Sequence, residues 1–132
     1  MSFRPPKTLP ILSIFHNAQL PLSRQALSLL QSRQQRPSGE DVYRVDIIGT
    51  DTLPTKDQLH QMASYLHGWQ PLLAKTATSP SNIQDAQDLL LNEPTALNRP
   101  IVVDWSNGKA AVGDSSLDTI ETLLQQRLKS KK

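Results

Sequence analysis

The chain of 132 residues contains no cysteine. It therefore cannot form a disulfide, bind a metal through thiolates or use a thiol of its own as a nucleophile. The absence does not decide the compartment, because proteins of reducing and of oxidising compartments can both lack cysteine. A chain of this length buries enough surface to fold as one domain without a covalent or metal crosslink. Any thiol chemistry at this protein must use sulfur from another molecule.

Long apolar runs and interleaved basic and aromatic residues are also missing. No apolar run approaches the roughly 20 residues of a membrane-spanning helix, so we expect no membrane insertion. The net charge is only +2 and aromatic residues make up 5% of the chain. We expect Trp69 and Trp105 to be partly buried in the core and on a hairpin face rather than to stack on bases, and we do not expect nucleic acid as a partner.

Acidic residues are absent before Glu40, whereas the same segment carries five basic ones. They are Arg4, Lys7, Arg24, Arg33 and Arg36. Together with an amphipathic helix, this composition is typical of a mitochondrial import signal. It fits equally the first strand and helix of a fold with a basic outer face, and both interpretations hold if the import information is internal and uncleaved. We expect a mitochondrial location, in the matrix.

The spacing of apolar residues predicts a βαβ unit, then helices, a β-hairpin and a C-terminal helix, the order of a thioredoxin-like α/β domain with a central four-stranded mixed sheet. Strands are predicted at 11–16, 42–48, 100–105 and 109–113, and helices at 22–36, 55–66 (closed by Gly68), 83–90 and 117–128. The Asn107-Gly108 pair between the last two strands is a strong hairpin signal. The predicted organisation is an extended arm over 1–10, one domain over 11–128 and a basic tail over 129–132.

Two stretches resemble the active-site segments of the thioredoxin-fold arsenate reductases and Spx-like proteins. In those proteins a strand precedes His-Asn-Pro-x-Cys-x-x-Ser-Arg and a helix, and an Arg-Pro pair later opens another strand. The corresponding segments are His16-Asn17-Ala18-Gln19-Leu20-Pro21-Leu22-Ser23-Arg24 and Asn98-Arg99-Pro100-Ile101-Val102-Val103-Asp104-Trp105. Leu20 occupies the position of the nucleophilic cysteine, and Gly113-Asp114-Ser115 stands where the pattern has Gly-Arg-Pro. The resemblance implies the fold of these enzymes without their thiolate chemistry.

The C-terminal motif from Arg99 to Asp114, with the Phe15–Ser23 opening, is also similar to a fungal mitochondrial family of thioredoxin-fold proteins. That family's redox role is attributed to it from its fold. The similarity implies a mitochondrial location and a thioredoxin-like scaffold more firmly than it implies an activity, because one fold supports many functions.

The resemblance also implies a ligand site. Pro100 matches the proline that thioredoxin-like folds hold in cis beside the nucleophile; the alternative is an ordinary trans proline that opens a strand. Arg99 would point into the pocket and hold a carboxylate or oxyanion, or it would be an exposed arginine at a strand end. His16, Asn17 and Ser23 would orient a ligand at the start of the first helix, or they would only satisfy the backbone of the turn.

Other constellations are weaker. His60 and His67 are seven residues apart and would share a helical face, but two histidines without a third ligand rarely bind metal, so we expect no metal site. Ser23 and His16 could be drawn as a nucleophile and its base, yet no Gly-x-Ser-x-Gly elbow is present and Ser23 should lie inside the first helix. Serine hydrolysis is not expected.

Two functions from different classes stay open. In the first, the protein binds glutathione or a related thiol, whose own sulfur supplies the chemistry while the site residues orient it. In the second, it is a non-catalytic subunit that uses a sheet edge or helix faces to dock in a larger mitochondrial assembly. The missing thiol favours the second, and the family resemblance favours a redox role. Neither requires a cofactor.

Overall fold

The computed structural model describes residues 9–35, 37, 39–50, 52–73, 82–93, 96–113 and 117–129. The predicted order of elements is confirmed. The elements are β1 (Ile11–Phe15), α1 (Pro21–Ser32), β2 (Arg44–Ile48), α2 (Lys56–Tyr65), a 3₁₀ turn (Gln70–Leu72), α3 (Ile83–Asn92), β3 (Ile101–Asp104), β4 (Lys109–Val112) and α4 (Asp118–Lys129). Most of the predicted arm (1–8), the end of the basic tail (130–132) and Asp114-Ser115 lie outside the described residues. Lys129, assigned above to the tail, is the last residue of α4.

The four strands form one mixed sheet in the order β2-β1-β3-β4. β1 is parallel to β2 and antiparallel to β3, and β3 pairs with β4 as the predicted hairpin. Phe15, the last residue of β1, pairs with Ile48 at the end of β2 and with Ile101 at the start of β3. The segments that follow β1 and β2 and the segment that precedes β3 therefore meet at one edge of the sheet.

Two apolar cores lie on opposite faces of the sheet, so the protein has three layers. This follows from strand alternation, since successive side chains point to opposite faces. On one face Leu12, Ile14 and Val102 pack against α1 and α4. On the other face Phe15 and Val103 pack against α2 and α3. The predicted α/β class and four-stranded mixed sheet are confirmed.

The first helix is shorter than predicted. Pro21 opens it, as expected from a proline whose missing N–H is not needed in the first turn. It ends at Ser32 instead of Arg36, because the chain turns there: the N–H of Val42 donates to Gln34 O at 2.8 Å. Because this turn includes Val42, β2 begins later than predicted, at Arg44 instead of 42.

Thr55 caps α2, and the prediction of this N-cap is confirmed. Its hydroxyl accepts from the N–H of Gln58 at 3.1 Å, and the Gln58 side chain accepts from the N–H of Thr55 at 3.0 Å, which completes a capping box. The other end differs from the prediction. His67 adopts the left-handed conformation with φ of 62°, and Gly68 N donates to Ala63 O at 2.8 Å. These are the marks of a Schellman motif, in which His67 has the position that usually belongs to glycine.

The β3–β4 hairpin has a loop of four residues, since Asp104 pairs with Lys109. Among the loop residues only Gly108 has a positive φ, 64°. Asn107 instead donates its N–H to Asp104 Oδ1 at 3.2 Å. The hairpin was predicted correctly, but its loop is one residue longer than the predicted strands over 100–105 and 109–113 imply, because Trp105 belongs to the loop.

Within the described residues, no helix has both the length and the apolar character that crossing a membrane requires.

Candidate functional site

His16 and Ser23 form the centre of the site at the edge where β1 ends. His16 Nδ1 lies 2.7 Å from Ser23 Oγ, and the same oxygen accepts from the N–H of Asn17 at 2.9 Å. Ser23 is in the first turn of α1 and is fully buried. The serine oxygen can accept a second hydrogen bond or donate its own proton, so the contact with His16 Nδ1 forms in either imidazole tautomer. The sequence prediction that Ser23 lies inside α1 is confirmed.

Asn17 shapes the turn between β1 and α1. Its side-chain Oδ1 accepts from the N–H of Gln19 at 2.9 Å, and its carbonyl accepts from the N–H of Leu20 at 3.0 Å. Side chains of this type commonly replace backbone partners in turns. The described contacts of Asn17 thus correspond to the structural alternative, in which it satisfies the turn.

Leu20 is the N-cap residue of α1, and its side chain remains 39% exposed. A leucine has no oxygen with which to cap, and no side chain within the described residues caps this helix. Pro21 has no N–H and the N–H of Arg24 donates to Leu20 O at 3.1 Å, so the N–H groups of Leu22 and Ser23 are the first-turn donors without a partner among the described residues, at the positive end of the helix dipole. The position that carries the cysteine in the resembled enzymes is at the surface, at an uncapped helix start.

The Arg99–Pro100 peptide bond is cis, as predicted. The β1–β3 register, in which Phe15 pairs with Ile101, places Pro100 at the next position beside His16. The carbonyl of Pro100 accepts from the N–H of Gly113 at 2.9 Å. A Cβ on Gly113 would approach Pro100 Cγ to 2.9 Å, so only glycine fits there without displacing a neighbour.

Arg99 is 7% exposed, so the alternative of an exposed arginine at a strand end is wrong. Its guanidinium donates to Ile48 O at 3.4 Å and to Thr52 O at 3.1 Å. His16 N also donates to Ile48 O, at 2.8 Å. Arg99 therefore joins the segment before β3 to the end of β2 and the loop that follows it, a role that no local sequence signal indicated.

Burial lowers the pKa of His16 below its usual 6.5, and the positive charges of Arg99 and Arg24 lower it further. A hydrogen bond with the backbone of Ser23 opposes this shift but does not reverse it. His16 is therefore neutral at pH 7. Among the described residues its Nε2 has no hydrogen-bond partner, so this nitrogen is the polar group that the site can offer to a ligand.

These groups set limits on the chemistry. Ser23 is fully buried, so its hydroxyl is not accessible to a substrate carbonyl in this structure. The two histidines considered for metal do not share a helix, because α2 ends at Tyr65 and His67 lies beyond it. In the described part of the chain no group of three potential ligands is close enough to hold a metal ion.

A buried ion pair near the hairpin was missed by the sequence analysis. Arg127 Nη1 lies 3.3 Å from Asp104 Oδ1, and both side chains are almost fully buried. The signal was available, since an aspartate that ends an apolar strand needs a partner when it is buried. Trp105 was placed correctly: its ring packs edge-on against Tyr65, with centroids 6.2 Å apart, and its Nε1 donates to Ser13 Oγ at 2.8 Å.

Residues 3–113 match a family described as proteins of unknown function, DUF1687. The chain belongs to the DUF1687 family. No curated protein matches this DUF1687 chain.

Solved structures similar to the DUF1687 protein have a thioredoxin-like fold. An arsenate reductase from Vibrio cholerae superposes with a TM-score of 0.67 at 20% identity, over 86% of this chain and 98% of the reductase. A protein titled YFFB superposes with a TM-score of 0.57 at 16% identity, over 76% of this chain and 89% of its own. The identities are low, so the likeness concerns the fold, and the predicted thioredoxin-like class is confirmed.

Proposed function

We propose that this DUF1687 protein is a mitochondrial thioredoxin-fold protein that binds glutathione or a related thiol without carrying out thiol–disulfide exchange. The observation that carries the proposal is the uncapped, exposed start of α1 at Leu20, next to the neutral His16. In the resembled enzymes this position holds the reacting sulfur. Here the sulfur would belong to the ligand.

The polar groups at this edge suit such a ligand. The free N–H groups at the start of α1 favour a carboxylate or a thiolate, because the helix dipole is positive there. Nε2 of His16 can form one hydrogen bond with a ligand. The buried Arg99 adds positive charge behind the site, although its described hydrogen bonds go to backbone carbonyls. Ser23 and Asn17 keep the imidazole and the turn in position, and Pro100 borders the site beside His16.

A titration with reduced glutathione tests binding, followed by amide chemical shifts of residues 16–24. We expect saturable shifts confined to that segment and to the neighbourhood of Pro100. Leu20→Asp should weaken binding at least about tenfold, because aspartate caps the helix and repels an anion. It should not lower thermal stability, since aspartate is a favoured N-cap.

Ser28→Asp is the matched control, because it adds the same charge on the exposed middle of α1. It should leave glutathione binding within about twofold of the wild type, since a charge more than one turn from the helix start has little effect there. The absence of saturable chemical-shift changes in residues 16–24 on adding glutathione would refute the proposal. Equal glutathione binding by the Leu20→Asp protein would also refute it. The wild type should also show no glutathione-disulfide or insulin turnover above a cysteine-free control protein, because it has no thiolate.

The second candidate is a non-catalytic subunit that docks through the edge strand β2. β2 ends the sheet on one side, and its Ile47 is 49% exposed. An unpaired strand edge with an exposed apolar side chain can accept a strand from another chain. Recovery of a stoichiometric partner from mitochondria, lost on Ile47→Lys and retained on Leu20→Asp, would support this candidate over thiol binding.

A further inference from the structure

A groove with a volume of about 230 Å³ lies between the start of α2 and the face of α3. It is on the opposite side of the sheet from α1 and is separate from His16 and Leu20. Its apolar walls come from Leu53, Pro54, Leu59, Leu90 and Leu91. Leu91 is 74% exposed, the highest exposure among the described large apolar side chains, so the wall continues to the surface. No pattern in the sequence predicted this groove.

Gln87 is the buried polar side chain in the lining of the groove. It lies on α3, lines the groove and is 8% exposed. Its Nε2 is buried and has no hydrogen-bond partner among the described residues. A buried amide that lacks a partner is energetically costly, so such groups are rare and usually indicate a missing partner. The partner that Nε2 lacks is a hydrogen-bond acceptor.

The charges at the rim argue against an ionic ligand. Lys56 at the start of α2 and Asp88 on α3 both line the groove, so their charges oppose each other. A carboxylate buried against the amide of Gln87 would lose its hydration, and Asp88 offsets the attraction of Lys56, so its burial is costly. A neutral carbonyl group supplies the acceptor at a much lower cost of desolvation.

The volume sets the size of the ligand. A cavity of about 150 Å³ holds benzene, so 230 Å³ accommodates about nine heavy atoms. We propose that this groove binds a neutral aliphatic molecule of about that size, whose single carbonyl oxygen accepts from Gln87 Nε2 while its chain packs on the leucines. The inference does not depend on the proposed thiol site.

The probe is 2-octanone, a neutral chain with one carbonyl, titrated into the whole protein and followed by the side-chain NH₂ resonance of Gln87. We expect saturable binding in which this resonance moves downfield, together with shifts of the Leu90 and Leu91 methyl groups. Octanoate, with the same chain and a carboxylate, should bind more weakly. Tighter binding of octanoate, or an unchanged Gln87 resonance at saturation, would overturn the assignment.

Gln87→Met removes the donor while keeping the length of the side chain. It should weaken 2-octanone binding about tenfold, and it should raise the thermal stability of the free protein because the buried donor is gone. Gln84→Met is the matched control one turn earlier on α3. Gln84 also lines the groove, but it is exposed and already donates to Asp88 at 3.4 Å. Equal affinities of the Gln87→Met and Gln84→Met proteins would refute a role for Gln87. The wild-type Gln87 resonance provides the test if either variant fails to fold.

Discussion

His16 Nδ1 and Ser23 Oγ are 2.7 Å apart, which connects the residue after β1 to the first turn of α1. The serine is buried and the histidine is partly exposed. Ser23 thus affects the surface only through the imidazole, whose orientation it fixes. In the resembled enzymes the position of Leu20 would carry a reacting thiol. Here it carries a leucine side chain, so the His16–Ser23 pair has no thiol to act on.

The pKa of His16 should be measurably below 6.5 in the folded protein, because burial and two arginines disfavour the cation. Arg24→Gln should raise the pKa, since one repelling charge is lost. Imidazole proton shifts across pH 4–9 measure the pKa in both proteins, with the signal assigned from His16→Gln. An unchanged or lower pKa in the Arg24→Gln protein would contradict the effect assigned to that charge.

The same shift predicts a pH dependence of stability. As pH falls, the unfolded chain takes up a proton on His16 before the folded protein does. The contribution of neutral His16 to the free energy of unfolding is therefore complete above pH 6.5. This contribution is lost as pH falls from 6.5 through the lower folded pKa. Urea unfolding at pH 7 and in the acidic range should show a smaller decline for His16→Gln than for the wild type.

Leu20→Cys should produce an accessible thiol with a pKa below the 8.5 of free cysteine. The residue is 39% exposed and at the start of α1, where the helix dipole stabilises a thiolate. The rate of alkylation by iodoacetamide against pH gives the value. Ser32→Cys, at the exposed opposite end of the same helix, is the control and should not show a lowered pKa. A buried, unreactive thiol in the Leu20→Cys protein would show that residues 15–24 do not form a redox-type scaffold.

Arg127→Met should destabilise the protein by about 3–5 kcal/mol, because it leaves the carboxylate of Asp104 buried without its counter-charge. Arg33→Met is the matched control: the Arg33–Glu121 pair is 2.9 Å long but substantially exposed, and such pairs contribute about 0–1 kcal/mol. The difference in free energy of unfolding between the two variants, from urea denaturation, tests the prediction. Adding Asp104→Asn to Arg127→Met should recover part of the loss.

Tyr43→Phe should destabilise the protein by about 1 kcal/mol, since the buried hydroxyl donates to Leu30 O near the end of α1. Tyr65→Phe, whose hydroxyl has no partner within the described residues, should have little effect. Burial raises the pKa of Tyr43 to about 12. Its contribution to stability is therefore complete below pH 10 and is lost as pH rises toward 12, an alkaline decline that should be smaller in the Tyr43→Phe protein.

The secondary structure was predictable where its cause is local. Pro21 at a helix start and Thr55 with Gln58 act within a few residues of themselves, and both predictions are confirmed. Element ends were less predictable, because they depend on distant partners. α1 stops at Ser32 because the chain must turn to bring Tyr43 against Leu30, and nothing between 22 and 36 contains that information.

For the site, the sequence by itself determined which groups are available: a histidine and a serine seven residues apart, a leucine in place of a thiol, and an Arg-Pro pair before an apolar strand. Only the tertiary structure decided how they are used. Arg99 donates to carbonyls about 50 residues earlier in the chain, and Gln87 Nε2 has no partner among the described residues where α3 packs beside the start of α2. The physical reason is that burial and hydrogen-bond partners follow from strand register and layer packing, which bring together residues whose spacing in the sequence carries no periodic signal.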